Sequence, residues 1–249
     1  MIDLARFFLQ QGQIQGGRVV ITGDDAHHLT RVLRLRSGDE IEGVDEGGQV
    51  YRIRLESIGN EVLGLVEETL DYQQESPVEI TLFQGLAKGD KMDFVIQKAV
   101  ELGVREVVPF TSRFTVVKLE EKKAKSRQAR WERIAHEAAK QSGRTRLPVI
   151  GDLHDFAQLR ATVKERSAQD ELVILAYEGE KQQGIGKLEK QTSEVSVIVG
   201  PEGGFAPDEV EALASAGARV CTLGPRILRT ETAGLVLLSI IGYKWGDLA

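Results

Sequence analysis

Residues 195–241, VSVIVGPEGGFAPDEVEALASAGARVCTLGPRILRTETAGLVLLSII, constrain the fold more than any other stretch of this chain. Two short apolar, β-branched runs each end in a glycine-containing loop, and each loop leads into a helical pattern. In the first unit, residues 195–199 read as a buried strand and residues 200–205 as the loop. Pro207, Asp208 and Glu209 then supply the proline and acids of a first helical turn, and Gly217 ends that helix. In the second unit, residues 218–223 are the strand and 224–229 the loop, with Thr230 as N-cap of an apolar helix running to about Tyr243. Both loops fall at carboxyl ends of strands, the edge where open parallel α/β sheets bind ligands.

The loop residues narrow the chemistry. A glycine-rich strand-to-helix loop can be only a tight turn. GPEGGF lacks the Lys-Ser/Thr of a Walker sequence and the spacing of a dinucleotide site, and Pro201 removes an amide that would cradle phosphate. In the second loop, however, Arg226, Arg229 and Glu231 cluster beside Gly224 just before a nearly all-apolar helix. Charges are normally avoided in such a place, so these are expected to face a cleft.

The earlier part of the chain has a different period. Residues 18–22, 40–44, 50–57 and 62–67 are short alternating runs punctuated by glycine, as in a small β-barrel or sheet. Between the first two, Asp24 or Asp25 can cap a short helix carrying His28, Arg31 and Arg34, with Leu29, Val32, Leu33 and Leu35 on its apolar side. Residues 71–77, DYQQESP, read as a linker, which gives domains at 1–72 and 73–249. Beyond it, strand runs at 78–86, 104–110, 149–153 and 172–177 alternate with helical patterns at 91–102 and 124–143, which implies a mainly parallel sheet covered by helices. A conventional Rossmann domain is disfavoured, because its glycine fingerprint belongs in the first strand-helix turn and here the glycine loops come last. Trp131 can stack on a base, but at its helical spacing core packing is the commoner role.

Net charge is −6, so nucleic-acid binding would have to be local. One basic cluster comprises His27, His28, Arg31, Arg34 and Arg36, and a second runs from Lys118 to Arg146 through Lys122, Lys123, Lys125, Arg127, Arg130 and Arg144. Either can be simply a solvated face. The two adjacent histidines have no matching His/Cys/Asp cluster, so no metal is expected. The one cysteine, Cys221, lies in an apolar strand and gives no disulfide framework, which suits a reducing cytoplasm. No stretch reads as a signal sequence or membrane span.

GPEGGF followed by LGPRILRTETA resembles the paired signature of the ribosomal RNA small-subunit methyltransferase E family, the uridine-N3 methyltransferases of the SPOUT superfamily. ARFFL, HHLTRVLRLRSGD, KGDKMDFVIQKAVELGVREVVPF and RWERIAHEAAKQSGRTRLPVI resemble the family pattern in the same order, so the likeness spans nearly the whole chain. One departure is Ser112 before Arg113, where the family often has glutamate, and no role is assigned there.

The resemblance implies an α/β fold: a C-terminal SPOUT-type parallel sheet with a deep trefoil knot, joined to an N-terminal PUA-like small β-barrel that binds RNA. It implies S-adenosylmethionine-dependent methylation of N3 of a specific uridine in 16S ribosomal RNA of the small subunit, without metal, by a homodimer. Carried over to matching positions, the donor would be held by Ala176, Gly200, Pro201, Glu202 and Gly203, and by Gly204, Leu223, Gly224, Ile227 and Leu228. Catalysis falls to Arg229 first and Arg226 second, with Glu231 orienting the arginine, accepting a proton or merely favouring the first helical turn. RNA contacts are expected at Arg6, His28, Arg31, Arg34 and Arg144. The rival readings are a catalytically silent RNA-binding or ribosome-assembly protein of the same fold, and a nucleotide-binding α/β enzyme.

Overall fold

The computed structural model describes residues 4–71, 74–117, 121–189 and 192–248, without the side chains of Glu121 and Lys122. Two compact units emerge, Met1–Glu75 with Ala139–Arg146, and Ser76–Ala138 with Leu147–Ala249. Among the described residues, no helix is long and apolar enough to cross a membrane.

The first unit contains β1 (Arg6–Phe8), β2 (Ile14–Gln15), β3 (Arg18–Ile21), α1 (Gly23–His27), β4 (Glu40–Val44), β5 (Val50–Ile58) and β6 (Val62–Leu70). They form one six-stranded sheet in the order β1-β4-β5-β6-β3-β2, antiparallel except where β1 runs parallel to β4. Alternation places Val19, Ile21, Ile53 and Leu55 on one face, where they join Phe7, Leu29 and Ile41 in the core. β1 was not legible because its three residues are all buried and show no alternation.

The helix expected around His28 takes an unexpected form. Asp24 and Asp25 lie inside α1 rather than capping it, and after His27 the chain widens into a π-helical turn over His28–Val32. Arg34 then closes the turn in the left-handed region, at φ 56°. Only Leu29 of the expected apolar side is fully buried; Val32 and Leu33 are exposed, because the wider turn rotates them out of the core face.

The second unit continues with β7 (Glu79–Gly85), α2 (Lys91–Glu101), β8 (Glu106–Phe110), α3 (Glu121–Gln141), β9 (Val149–Ile150), α4 (Phe156–Ala168), β10 (Leu172–Ala176), β11 (Glu194–Val199), α5 (Pro207–Ser215), β12 (Arg219–Cys221) and α6 (Thr230–Trp245). Its sheet is wholly parallel, in the order β12-β10-β11-β7-β8-β9. β11 therefore lies between β10 and β7, with β12 beyond β10, and the carboxyl ends of three late strands are brought together. α6 packs against α2, β7 and β11. Trp131 belongs to the packing: it is buried, and its indole N–H donates to Asp93 at 3.2 Å. At the opposite edge of the sheet Arg166 is held by Glu106 at 2.8 Å and Glu171 at 3.3 Å, and donates to Thr81 at 2.8 Å.

Two of the residues expected to contact RNA are buried in the first unit. Arg6 and Arg144 have side chains only 6% exposed. Arg6 pairs with Glu42 at 2.6 Å and donates to Gln74 at 2.8 Å and to the carbonyls of Gly143 and Arg144. Arg144 pairs with Glu75 at 2.7 Å, and Glu75 also accepts the N–H groups of Thr145 at 2.8 Å and Arg146 at 3.0 Å. Buried charge without such partners would be costly, and these pairs join residues 139–146 to the sheet of the same unit. Gln74 and Glu75, in the stretch read as a linker, are tied down by the same bonds; Tyr72 and Gln73 lie outside the described residues.

Burial alone would raise the Glu75 pKa, but the Arg144 guanidinium and the N–H groups of Thr145 and Arg146 outweigh it and hold the pKa below the usual glutamate value. A carboxyl whose pKa is lower folded than unfolded contributes stability fully above the unfolded pKa, and loses it as pH falls through the folded value. Glu75→Gln should therefore lower stability at neutral pH by about 2 kcal/mol, the scale of hydrogen bonds to a charged group. Urea titrations should show the gap to the parent closing as pH falls below the glutamate range; a gap that does not change with pH would contradict the assignment.

Candidate active site

The site grows from the carboxyl edge of β10, β11 and β12. Gly200 follows β11 and Pro207 opens α5, so the intervening loop must turn within a few residues. Close approach explains its glycines. A Cβ on Gly85, at the end of β7, would lie 2.3 Å from the Pro201 nitrogen, and one on Gly203 would lie 2.6 Å from the Phe114 Cβ. Gly204 adopts φ +68°, and a Cβ there would meet a Glu178 carboxylate oxygen at 2.9 Å. The opposite wall is different: Gly224 has φ +113°, and a Cβ there would meet nothing within 4 Å, so its bare backbone faces open space.

A hydrogen-bond relay fixes the loop to the rest of the site. Gln84, fully buried on β7, donates through Nε2 to the Thr230 hydroxyl at 2.8 Å, and that hydroxyl donates to the Gly200 carbonyl at 2.6 Å. Thr230 is thus not an N-cap, since Arg229 occupies the cap position without a side-chain bond. Its hydroxyl serves the neighbouring loop instead. A second tie involves Glu209, which accepts the Ala206 N–H and the Arg113 N–H, each at 2.9 Å, while the Arg113 guanidinium grips Asp208. The residue left without a role by the sequence is therefore a bracket between the loop after β8 and the first turn of α5.

Beside these ties lies an open cleft of about 480 Å³. Ala176, Gly200, Pro201, Glu202, Gly203, Gly204, Leu223, Gly224, Ile227 and Leu228 all line it, together with Arg226, Arg229 and Glu231. Arg226 is exposed, Ile227 is 84% exposed, and the Arg229 side chain is 81% exposed, with its Nη1 4.0 Å from Glu231 Oε1. Cys221, just below the cleft, has its thiol pushed up to about 12, chiefly by burial, and is no nucleophile at neutral pH. Among the described residues there is no group of three or more His, Cys, Asp or Glu able to hold a metal ion.

Sequence reasoning missed Lys91. Its Nζ stands 3.3 Å from Glu202 Oε1 and 3.3 Å from Glu231 Oε2, linking α2, the first glycine loop and α6. Partial burial acts against its charge, but the carboxylates of Glu231 and Glu202 outweigh this and raise its pKa. The Glu202 pKa is lowered in turn: burial would raise it, and the Lys88 N–H at 3.0 Å together with Lys91 overcomes that. The available signal was a cation in the first turn of a helix, where the macrodipole disfavours it unless acids are near.

In the first unit Arg31 and Arg34 are exposed and His28 is half-buried edge-on to Phe7, with ring centroids 6.0 Å apart. Of the second basic cluster, Arg130 pairs with Asp93 and Arg146 is exposed. Lys118 and the side chain of Lys122 lie outside the described residues.

Residues 74–242 match the RNA methyltransferase domain family, and residues 21–63 match the RNA methyltransferase PUA domain family. Ribosomal RNA small subunit methyltransferase E of Bacillus subtilis is 39% identical over 233 residues, covering 90% of this chain and 89% of that protein. Its counterpart in Mycobacterium tuberculosis is 31% identical, covering 91% and 87%. The crystal structure of ribosomal RNA small subunit methyltransferase E from Neisseria gonorrhoeae bound to S-adenosyl methionine is similar with a TM-score of 0.90 at 31% identity, covering 99% of this chain and all of that one. A putative methyltransferase from Legionella pneumophila in complex with the same cofactor gives a TM-score of 0.88 at 28% identity, covering 98% and 99%.

The relay makes a direct prediction about the cleft. Thr230→Val keeps the β-branched shape but takes the hydroxyl donor from the Gly200 carbonyl and leaves the Gln84 amide only its longer bond to the Gly85 carbonyl at 3.2 Å, which should cost about 2 kcal/mol. Thr230→Ser should restore most of it. Urea unfolding measures the difference, and a valine variant as stable as the parent would show that the relay does not hold the loop.

Proposed function

Since the chain belongs to the ribosomal RNA small subunit methyltransferase E family, we propose that it transfers a methyl group from S-adenosylmethionine to N3 of a specific uridine in 16S ribosomal RNA. The observation that carries this reading is the convergence of both glycine loops and the start of α6 on one cleft. We assign residues 73–249 to catalysis and residues 1–72 to RNA binding, the latter through His28, Arg31 and Arg34. An active enzyme is favoured over a silent assembly factor, which would have no need to keep the glycine loops or Arg229.

The residues present fit the donor. A cleft of about 480 Å³ is in the range that takes a nucleoside-sized ligand, and the glycines of both loops line it. Ala176, Leu223, Gly224, Ile227 and Leu228 would bind one side of it and the residues from Gly200 to Gly204 the other. Glu178 and Glu202 give carboxylates suited to its positive groups, and Lys181 a cation suited to its carboxylate. When bound, the donor supplies a methyl group already activated on sulfur. The protein must then orient N3 in line with that group and help its weakly acidic proton to leave. Arg229, with Arg226 beside it, would stabilise charge that spreads to the uracil carbonyl oxygens, and Glu231 would orient the arginine or take the proton. The ribosomal substrate puts the reaction in the cytoplasm. Exposed Phe94 on α2 and Tyr243 on α6 offer apolar area for a homodimer built on the catalytic unit.

Calorimetry should show S-adenosylmethionine binding that EDTA does not alter. Gly203→Val should abolish it, because the added side chain displaces the loop from Phe114. Unchanged binding by that variant would mean that the donor sits elsewhere. Arg229→Ala should slow single-turnover methylation by about two to three orders of magnitude with little change in donor affinity. If RNA affinity falls while the rate persists, Arg229 is a phosphate anchor instead.

A further inference from the structure

Along its O2–N3–O4 edge uracil presents an acceptor, a donor and an acceptor. We propose that Lys91, Glu231 and Arg229 form the complementary row of donor, acceptor and donor, so that the cleft reads uracil by this edge and sets its N3–H against the Glu231 carboxylate. This rests on the uridine reading above and adds to it a base-selecting device and a catalytic role for Lys91. The geometry is specific. The two cations sit at different oxygens of one carboxylate: Lys91 Nζ is 3.3 Å from Oε2, and Arg229 Nη1 is 4.0 Å from Oε1.

The row is fixed at one end and open at the other. Glu231 Oε2 is shielded from solvent beside Lys91, and Lys91 is also held by Glu202, so its position does not depend on Glu231 alone. Arg229 is exposed and free to close on a base. Electrostatic stabilisation is most effective from groups held in place before reaction, and Lys91 meets that condition better than either loop arginine. A helix macrodipole disfavours a cation in the first turn, and the two carboxylates offset this and hold Lys91 at the cleft. Two carboxylates around one ammonium leave the cluster of Glu202, Lys91 and Glu231 one charge negative. Proton transfer from N3 to Glu231 removes that excess and leaves Lys91 facing the adjacent uracil oxygen as negative charge spreads there.

The step balances. The N3–H bond breaks and its proton passes to Glu231, the pair left on N3 forms the bond to the methyl carbon, and the pair of the carbon–sulfur bond departs on the donor's sulfur. Glu231 later returns the proton to water. Cytosine would meet the same row with an acceptor at N3 and an amino donor beside it, setting a lone pair against the carboxylate and a donor against a cation.

Lys91→Met and Lys91→Arg test this with 16S RNA transcribed with either uridine or 5-fluorouridine and assembled into small subunits. Fluorine at C5 makes N3–H more acidic, so it should relieve a defect in stabilising the N3 anion. Lys91→Met should slow single-turnover methylation of the uridine substrate by about one hundredfold while leaving calorimetric donor affinity unchanged. The fluorinated substrate should recover much of that loss in the variant and gain little in the parent; Lys91→Arg should retain part of the rate. Equal effects of fluorine on parent and variant, or loss of donor affinity with Lys91→Met, would overturn the proposal and make Lys91 a pin of the donor loop. If the parent itself yields no N3-methyluridine by nucleoside mass spectrometry, the uridine reading is at fault.

Discussion

The second unit depends on a short chain of hydrogen bonds, from the buried Gln84 amide to the Thr230 hydroxyl and on to the Gly200 carbonyl. Its members come from β7, from the start of α6 and from the loop after β11, so the relay joins the first strand of the parallel sheet to the two elements that close the cleft. Gln84 and Thr230 are both buried, where an unmade bond is expensive and a made one is specific. The parallel order β10-β11-β7 sets this up by bringing β11 beside β7. Both glycine loops then line one cleft.

Around the relay, the loops are shaped by contact rather than by flexibility. Gly85 and Gly203 are where Pro201 and Phe114 come too close for a side chain, whereas Gly224 leaves backbone bare toward the cleft. The same sequence feature therefore serves two ends, tight packing behind the first glycine loop and open space at the second. Charge follows a similar division. Arg113 with Asp208 and Glu209, and Arg166 with Glu106 and Glu171, tie the scaffold, while Lys91, Arg229 and Glu231 line the cleft.

Much of this was legible in the sequence because the signals were local. The strand-loop-helix punctuation of residues 195–245 marked both walls of the cleft, and every residue expected to line it does so. What escaped needed partners distant in the chain. Lys91 gains its meaning only from Glu202 and Glu231, more than a hundred residues away, and Thr230 looked like a cap because the loop that takes its hydroxyl cannot be seen from its neighbours. The burial of Arg6 and Arg144 in pairs with Glu42 and Glu75 likewise leaves no local mark in the sequence. The π-helical turn ending at Arg34 was missed for a related reason: its apolar residues have helical spacing, but the backbone widens and leaves Val32 and Leu33 outside.

The central claim is that this fold carries out one modification, at N3 of one uridine in 16S ribosomal RNA. Mass mapping of that RNA from a strain lacking the protein, and from the same strain with it restored, tests the claim most directly. The account predicts a single uridine that lacks a methyl group in the first strain and carries it on N3 in the second. An identical methylation map in both strains, or a methyl group restored to a ribose or to another base, would contradict it.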